Sequence, residues 1–174
     1  MNDKKNLIVM CGAPGSGKTT WLMNNDTAFP QPVVIISRDL IRFSLVAENE
    51  PYFSKEKEVY DIFISSLKNG IASSAETIVA DATHINFYSR KKLLKALNND
   101  NKLKEKCNII AIVMATDAET CLDRNAKRKG REFVPVAQLV DMLKRFEFPS
   151  KKEGFDKIFY VDENGYLRES KEIE

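Results

Sequence analysis

What this chain has little of narrows it first. Cysteine occurs three times in 174 residues, and histidine and tryptophan once each. Cys11, Cys107 and Cys121 are odd in number and lack C-x-x-C spacing, which argues against a disulfide framework or a zinc ribbon. Two of them fall in or beside strand or helix cores, so buried free thiols and a reducing, cytoplasmic setting are expected. A lone His84 cannot build a histidine-rich metal cluster. No apolar run approaches the length of a membrane helix, about 20 residues, and residues 1–6 carry no apolar signal region, so no membrane partner is expected. Charge of one sign is not in excess either. The 27 Lys and Arg against 25 Asp and Glu leave +2, so any argument for a polyanionic partner has to come from where charges cluster. Repeats, low-complexity tracts and linkers are missing. Residues 1–174 are therefore read as one domain, large enough for a proper core.

Against that plain background stands Gly12-Ala13-Pro14-Gly15-Ser16-Gly17-Lys18-Thr19, which fits the P-loop pattern G-x-x-x-x-G-K-[ST]. Leu7–Cys11 before it reads as a buried strand, and Thr20–Met23 after it as the first turns of a helix. The glycines let backbone N–H groups turn inward around a phosphate, with the helix N-terminus behind them. Gly12, Gly15, Ser16 and Gly17 would form a cradle for ATP, with Thr20 immediately behind. Lys18 would reach the β- and γ-phosphates, and the Thr19 hydroxyl would hold Mg²⁺.

Four further apolar runs follow, at 33–36, 78–80, 109–114 and 157–161. Helix-period segments lie between them. In the longest, Val59, Ile62, Phe63, Leu67 and Ile71 form one stripe behind Ser54 as a candidate N-cap. Thr116-Asp117-Ala118-Glu119 reads as a capping box, and Pro135 as the first residue of a helix carrying Val136, Leu139, Val140 and Leu143. Asn164-Gly165 signals a hairpin that folds the chain end back as an edge strand. The expected class is α/β, a parallel five-stranded sheet flanked by helices, with that C-terminal hairpin at one edge.

Ligands of such sheets bind beyond the carboxyl ends of the strands. One end carries Ser37-Arg38-Asp39-Leu40-Ile41-Arg42. Asp39 at the start of a helix suits a base for a hydroxyl proton, and Arg42 one turn on suits an acceptor phosphate. The same spacing also suits an N-cap Asp with a surface ion pair. Another end carries Asp81-Ala82-Thr83-His84-Ile85-Asn86. There Asp81 could hold a Mg²⁺-bound water or orient the phosphate site, Thr83 or Asn86 could start a helix, and His84 could make a polar contact near the acceptor groove. The basic segment Arg124–Arg131, ended by Gly130, is either a solvated helix end or a lid over a nucleotide, spanning about 124–135. A cis-acting arginine in such a lid speeds phosphoryl transfer by roughly 10³–10⁵.

In order and spacing these motifs resemble the kinase domain of polynucleotide 5′-hydroxyl kinases. The resemblance is carried by Gly-x-Pro-Gly-Ser-Gly-Lys-Thr before Trp21, Ser-Arg-Asp-x-x-Arg at 37–42, Asp-x-Thr-x-x-Asn at 81–86 and Arg-Asn-x-x-Arg…Val-Pro from 124 to 135. It runs from Leu7 to about Val161, and the stretch Arg145-Phe146-Glu147-Phe148-Pro149…Glu153-Gly154 looks like the wider P-loop kinase family. It implies a P-loop kinase fold with Lys18 and Thr19 on ATP and Mg²⁺, and Asp39 as the base on a 5′-hydroxyl. It also implies Arg42 on the acceptor phosphate and Arg128 on the transferring phosphate. Arg124 and Val134 would sandwich the adenine, with Asp81, Thr83 and His84 on the acceptor side. His84 departs from the phage enzyme's motif, which has Asn there. Val161-Asp162-Glu163-Asn164-Gly165 is not the Asp-x-Asp-Gly-Thr of a phosphatase, so separate phosphatase or ligase repair proteins are expected as partners.

The function expected is transfer of the γ-phosphate of ATP to the 5′-hydroxyl end of DNA or RNA. A kinase of the same scaffold with a sugar, antibiotic or nucleoside acceptor is the alternative, and a nucleotide-dependent switch a more distant one. Asn101-Lys102-Leu103-Lys104 lacks the Asp of a guanine-reading motif, and Val79-Ala80-Asp81-Ala82 has one acid where ATPase motors have two. DNA against RNA, and monomer against homo-oligomer, stay open.

Overall fold

The structure, a computed structural model, describes residues 4–98 and 101–170. Six strands make one sheet: β1 (Lys5–Cys11), β2 (Val33–Ser37), β3 (Thr77–Asp81), β4 (Cys107–Met114), β5 (Lys157–Val161) and β6 (Leu167–Glu169). Their spatial order is β2-β3-β1-β4-β5-β6. Leu7 lies opposite Ile78 on one side and Ile109 on the other, and the first five strands are all parallel. β6 pairs antiparallel to β5 with Val161 opposite Leu167, so the hairpin closes one edge as the Asn164-Gly165 signal predicts. The strand order reverses about β1, which puts the loop after β1 at the topological switch point where α/β sheets bind ligands.

Strand periodicity divides the core into two layers. Leu7, Val9 and Cys11 join Ile78, Ala80, Ile109 and Val113 against Phe63 and Leu67 of α3 (Glu56–Ala72) and Leu93 and Leu97 of α4 (Phe87–Leu97). Ile8 and Met10 face the other way, onto Trp21 and Leu22 of α1 (Lys18–Asn25). The short α2 (Arg38–Leu45) packs on α3, and α5 (Leu103–Lys106) leads into β4. Beyond β4 come α6 (Ala118–Ala126) and α7 (Val136–Lys144). All three cysteines are buried and free. Among the described residues no helix is long and apolar enough to cross a membrane.

Several expected boundaries shift by a residue or two, each for a local reason. α3 starts at Glu56 with Lys55 at its N-cap, so Ser54 does not cap it, and Ile62 lies at the exposed margin of its stripe. In the 116–119 segment Asp117 is the cap, accepting from the Thr120 amide at 2.8 Å, and the Thr116 hydroxyl donates instead to Ser16 O at 2.8 Å. Pro135 is the N-cap of α7 and not its first residue. The basic helix ends at Ala126, short of Gly130, which opens a separate 3₁₀ turn.

Asn86 caps α4, its side chain accepting from the Ser89 amide in a reciprocal box. Its Arg90 is fully buried, with Nε and Nη2 donating to Glu153 at 2.7 and 2.9 Å. The remaining Nη1 donates to His84 O and Glu147 O. One guanidinium thereby ties α4 and the turn after β3 to the 147–153 segment. A buried arginine needs this full complement of acceptors.

Candidate active site

The loop between β1 and α1 is shaped by backbone constraints. Gly15 has φ +82°, and a Cβ there would stand 2.5 Å from Cys121 O. Gly17 has φ +93° at the N-cap of α1. Both positions sit in the left-handed region that favours glycine. Lys18 Nζ folds back to donate to Gly12 O at 2.8 Å and Ala13 O at 3.1 Å. Ser16 Oγ is buried with no hydrogen-bond partner, an orphan polar atom inside the cradle. That orphan, together with the ammonium and the helix N-terminus, fits a nucleotide phosphate.

Asp81 ends β3 opposite Ser37 and is 5% exposed. Thr19 Oγ1 donates to its Oδ2 at 3.4 Å. Burial raises the Asp81 carboxyl above its ordinary value, with Lys18 opposing and the charge of Asp39 adding to the rise. Burial likewise lowers the Lys18 ammonium, with Asp81 and Asp39 opposing. Thr19, Lys18, Asp81 and Asp39 therefore share one electrostatic neighbourhood. A hydroxyl beside a buried carboxylate that gains from a cation is the donor set that suits Mg²⁺ in P-loop proteins.

The acceptor-side candidates converge beside this group. Ser37, and not Asp39, caps α2, its Oγ accepting from the Leu40 amide at 3.5 Å. Asp39 is thus left in the first turn with its side chain 62% exposed. Arg42, 4% exposed, gives Nη1 to Asp39 at 2.6 Å and to the Tyr52 hydroxyl at 3.0 Å, and Nη2 to Glu56 at 2.8 Å. Its guanidinium also lies 4.5 Å from the centre of the Tyr52 ring. Tyr52 donates its hydroxyl to the same Asp39 oxygen at 3.0 Å, and Arg38 pairs with Glu56. Tyr52 and Glu56 belong to no motif, and only the fold brings them to α2.

Thr83 and His84 are placed differently from each other. Thr83 O accepts from the Gly12 amide at 2.8 Å, which fixes the β3 end to the P-loop. The His84 ring is turned inward and 5% exposed, its Nδ1 donating to Met10 O at 2.9 Å. It packs beside Phe63, away from the strand-end surface. Burial lowers its pKa to about 4.

The basic segment meets the P-loop from the other side. Arg124, still within α6, donates to Gly15 O at 3.3 Å. Arg128 is near enough for its charge to lower the Lys18 pKa, and its Nη1 donates to Glu132 O at 3.3 Å. Buried Asn125 clamps Val134 through both backbone groups, at 2.7 Å to its O and 3.0 Å from its N. Arg131 lies over the Phe43 ring and donates to the carbonyls of Phe43 and Val46 at the C-terminal end of α2. Residues 127–135 thereby bridge the P-loop side and α2.

Fold and site together define a P-loop protein with a kinase-like α/β fold, a mixed six-stranded sheet flanked by helices. The family model described as AAA domain matches residues 7–149, most of the chain, and the chain belongs to that family. No curated relative matches the sequence. Among solved structures, a chain of the Pnkp1/Rnl/Hen1 RNA repair complex superposes with a TM-score of 0.67 at 22% identity, covering 88% of this chain and 47% of that one. A fungal RNA kinase gives 0.58 at 16% identity, covering 91% and 75%. A sugar kinase from Janibacter sp. HTCC2649 gives 0.58 at 16%, covering 90% and 85%. The present chain thus spans under half of the repair-complex chain it resembles. At these identities the likeness is one of fold.

Proposed function

We propose that this protein transfers the γ-phosphate of ATP to the 5′-hydroxyl end of a polynucleotide, DNA or RNA. The observation that carries the reading is the position of Asp39: an exposed carboxylate, gripped from behind by Arg42 and Tyr52, whose charge acts on both Lys18 and Asp81. A base facing the phosphate-binding group from the acceptor side is what in-line transfer to a hydroxyl needs. Asp39 takes the hydroxyl proton as the acceptor oxygen bonds to the γ-phosphorus and ADP leaves. Lys18 and Arg128 stabilise charge on the transferring group, and the P-loop amides of Gly12, Gly15, Ser16 and Gly17 hold the phosphates of the donor with Thr20 behind them. The Thr19 hydroxyl would hold Mg²⁺, with Asp81 holding a Mg²⁺-bound water, and the ion would supply positive charge to the donor phosphates. Arg124 and Val134 flank the donor side as adenine contacts. Arg42 and Thr83 are assigned to the acceptor, Arg42 by exchanging a carboxylate for the phosphate, whereas the inward ring of His84 supports that side from below. The repair-complex and RNA-kinase folds support the polynucleotide acceptor by analogy. Separate phosphatase and ligase proteins would complete a repair sequence.

The test is labelled phosphate transfer to a 5′-OH oligonucleotide with and without Asp39→Ala. Transfer should vanish in the variant while ATP binding survives, and retained transfer removes Asp39 as base. A small acceptor is the competing reading, favoured by the small net charge of +2 and the sugar-kinase fold. Sugars and nucleosides in the same assay, phosphorylated in preference to oligonucleotide, would establish it.

A further inference from the structure

α4 has an outward face of one chemical character. Successive residues of an α-helix are about 100° apart, so Phe87, Lys91, Lys95, Tyr88 and Lys92 fall within an arc of about 140°. All five are exposed, Tyr88 by 74%. The opposite arc holds the buried Arg90, Leu93, Leu94 and Leu97. No residue of α4 is acidic. The cations are set against aromatic faces, with Lys91 Nζ 5.3 Å from the Phe87 ring centre and Lys92 Nζ 4.3 Å from that of Tyr60. Arg38, the neighbour of Asp39, lies over that same Tyr60 ring at 5.3 Å. Asp61, the acid beside Tyr60, is bonded to Lys57. The Tyr60 ring thus links Arg38, which is paired with Glu56, to Lys92, so basic and aromatic groups extend from the start of α2 onto α4, where Glu147 accepts from the Phe87 amide at the N-terminal end. The helix starts just after Asp81, so its N-terminal end lies at the sheet edge that carries the P-loop.

We propose that this face is the track for a single strand of nucleic acid as it leaves the acceptor site. Phosphates lie on Lys91, Lys92 and Lys95, and bases stack on Tyr88 and Phe87. Alternating cations and aromatic rings suit a flexible polyanion with flat bases, because each backbone charge and each base meets its own partner. A sugar or nucleoside acceptor would leave the whole face unused. The inference rests on the polynucleotide reading above and adds a binding surface to it.

KM separates the two. Two acceptors are compared: a 5′-OH single strand of about 20 nucleotides and a 3′-mononucleotide, which has a 5′-OH and no further strand. In the Lys91→Glu/Lys92→Glu double variant KM for the strand should rise about tenfold or more at low salt. KM for the mononucleotide and for ATP should stay within about twofold. Loss of two phosphate contacts should also flatten the log–log salt dependence of strand binding by about 1.4. The Lys91→Gln/Lys92→Gln variant, which removes charge without adding repulsion, should show the same flattening. Tyr88→Ala should weaken strand binding by about five- to hundredfold. Unaltered strand KM and salt slope in these variants overturn the track while leaving the kinase reading standing, as does a loss shared equally by the mononucleotide. Failure of the unsubstituted protein to phosphorylate either acceptor overturns the polynucleotide reading, and the track with it.

Discussion

Arg42 is buried and Asp39 is exposed, and that inversion of the usual order shows which of the two is held and which is offered. Two carboxylates and a phenol take up Nη1 and Nη2 of Arg42, while Nε is buried without a partner, so Asp39 is oriented by a side chain that itself has little freedom. Arg42→Ala removes both the grip on Asp39 and the assigned acceptor contact. Steady-state kinetics should show KM for oligonucleotide rising more than KM for ATP, with kcat falling because the base is no longer held. An equal loss for both substrates would count against the assignment. Gly15 offers a separate test on the donor side. Its left-handed backbone and the 2.5 Å approach of Cys121 O leave no room for a Cβ. Gly15→Ala should therefore cost about 1–3 kcal/mol of local strain. In titration calorimetry that should appear as ATP affinity lowered by about tenfold or more.

At the scale of elements, the basic segment is organised by residues whose importance the sequence hides. Asn125 reads as one polar residue in a charged run, yet it is buried and satisfies both backbone groups of Val134. Asn125→Ala leaves an amide and a carbonyl without partners, a cost of about 1–3 kcal/mol per group where water cannot reach. Hydrogen exchange at the Val134 amide should accelerate by about tenfold or more, with the β1 amides unaffected. Protection unchanged at Val134 would mean that other contacts hold the segment. The same contrast explains what was legible beforehand. All five parallel strands and the P-loop helix are written in runs of apolar residues and glycines, and Asn164-Gly165 announces the hairpin. Asp39 and Arg42 are legible as a local pair at helical spacing. Glu56 and Tyr52 are not, because only the packing of α3 and the loop before it against α2 brings them there. Caps are harder still. Ser54 and Thr116 carry capping chemistry, but Lys55 and Asp117 are the actual N-caps, and the Thr116 hydroxyl is taken up by Ser16 O; Pro135, expected as the first helical residue of α7, is its N-cap.

The whole molecule encloses its sole histidine at the point where β3, the P-loop strand and α4 meet. Global stability should therefore carry its titration. Burial holds the His84 pKa near 4, with the positive charges of Arg38, Lys18 and Arg90 adding to the depression and the bond to Met10 O opposing it. In the unfolded chain the ring titrates near 6.5, the ordinary value for histidine. Between those two values the unfolded state binds the extra proton, so stability is full above about pH 6.5 and falls as the pH drops toward 4. The difference amounts to at most about 3 kcal/mol. Asp81 acts in the opposite direction, since its raised carboxyl gains from acid, which makes the difference between variants cleaner than either curve alone. His84 has φ +40°, a conformation that asparagine adopts more readily than most residues. His84→Asn should therefore keep the turn and remove the titration. Denaturant unfolding from pH 7.5 to 4.5 should show the original protein losing stability relative to the variant, by an amount that grows steadily below about pH 6.5. Parallel curves across that range would mean that His84 takes up its proton alike in the folded and unfolded chain, and its bond to Met10 O would then hold a charged ring at the acid end.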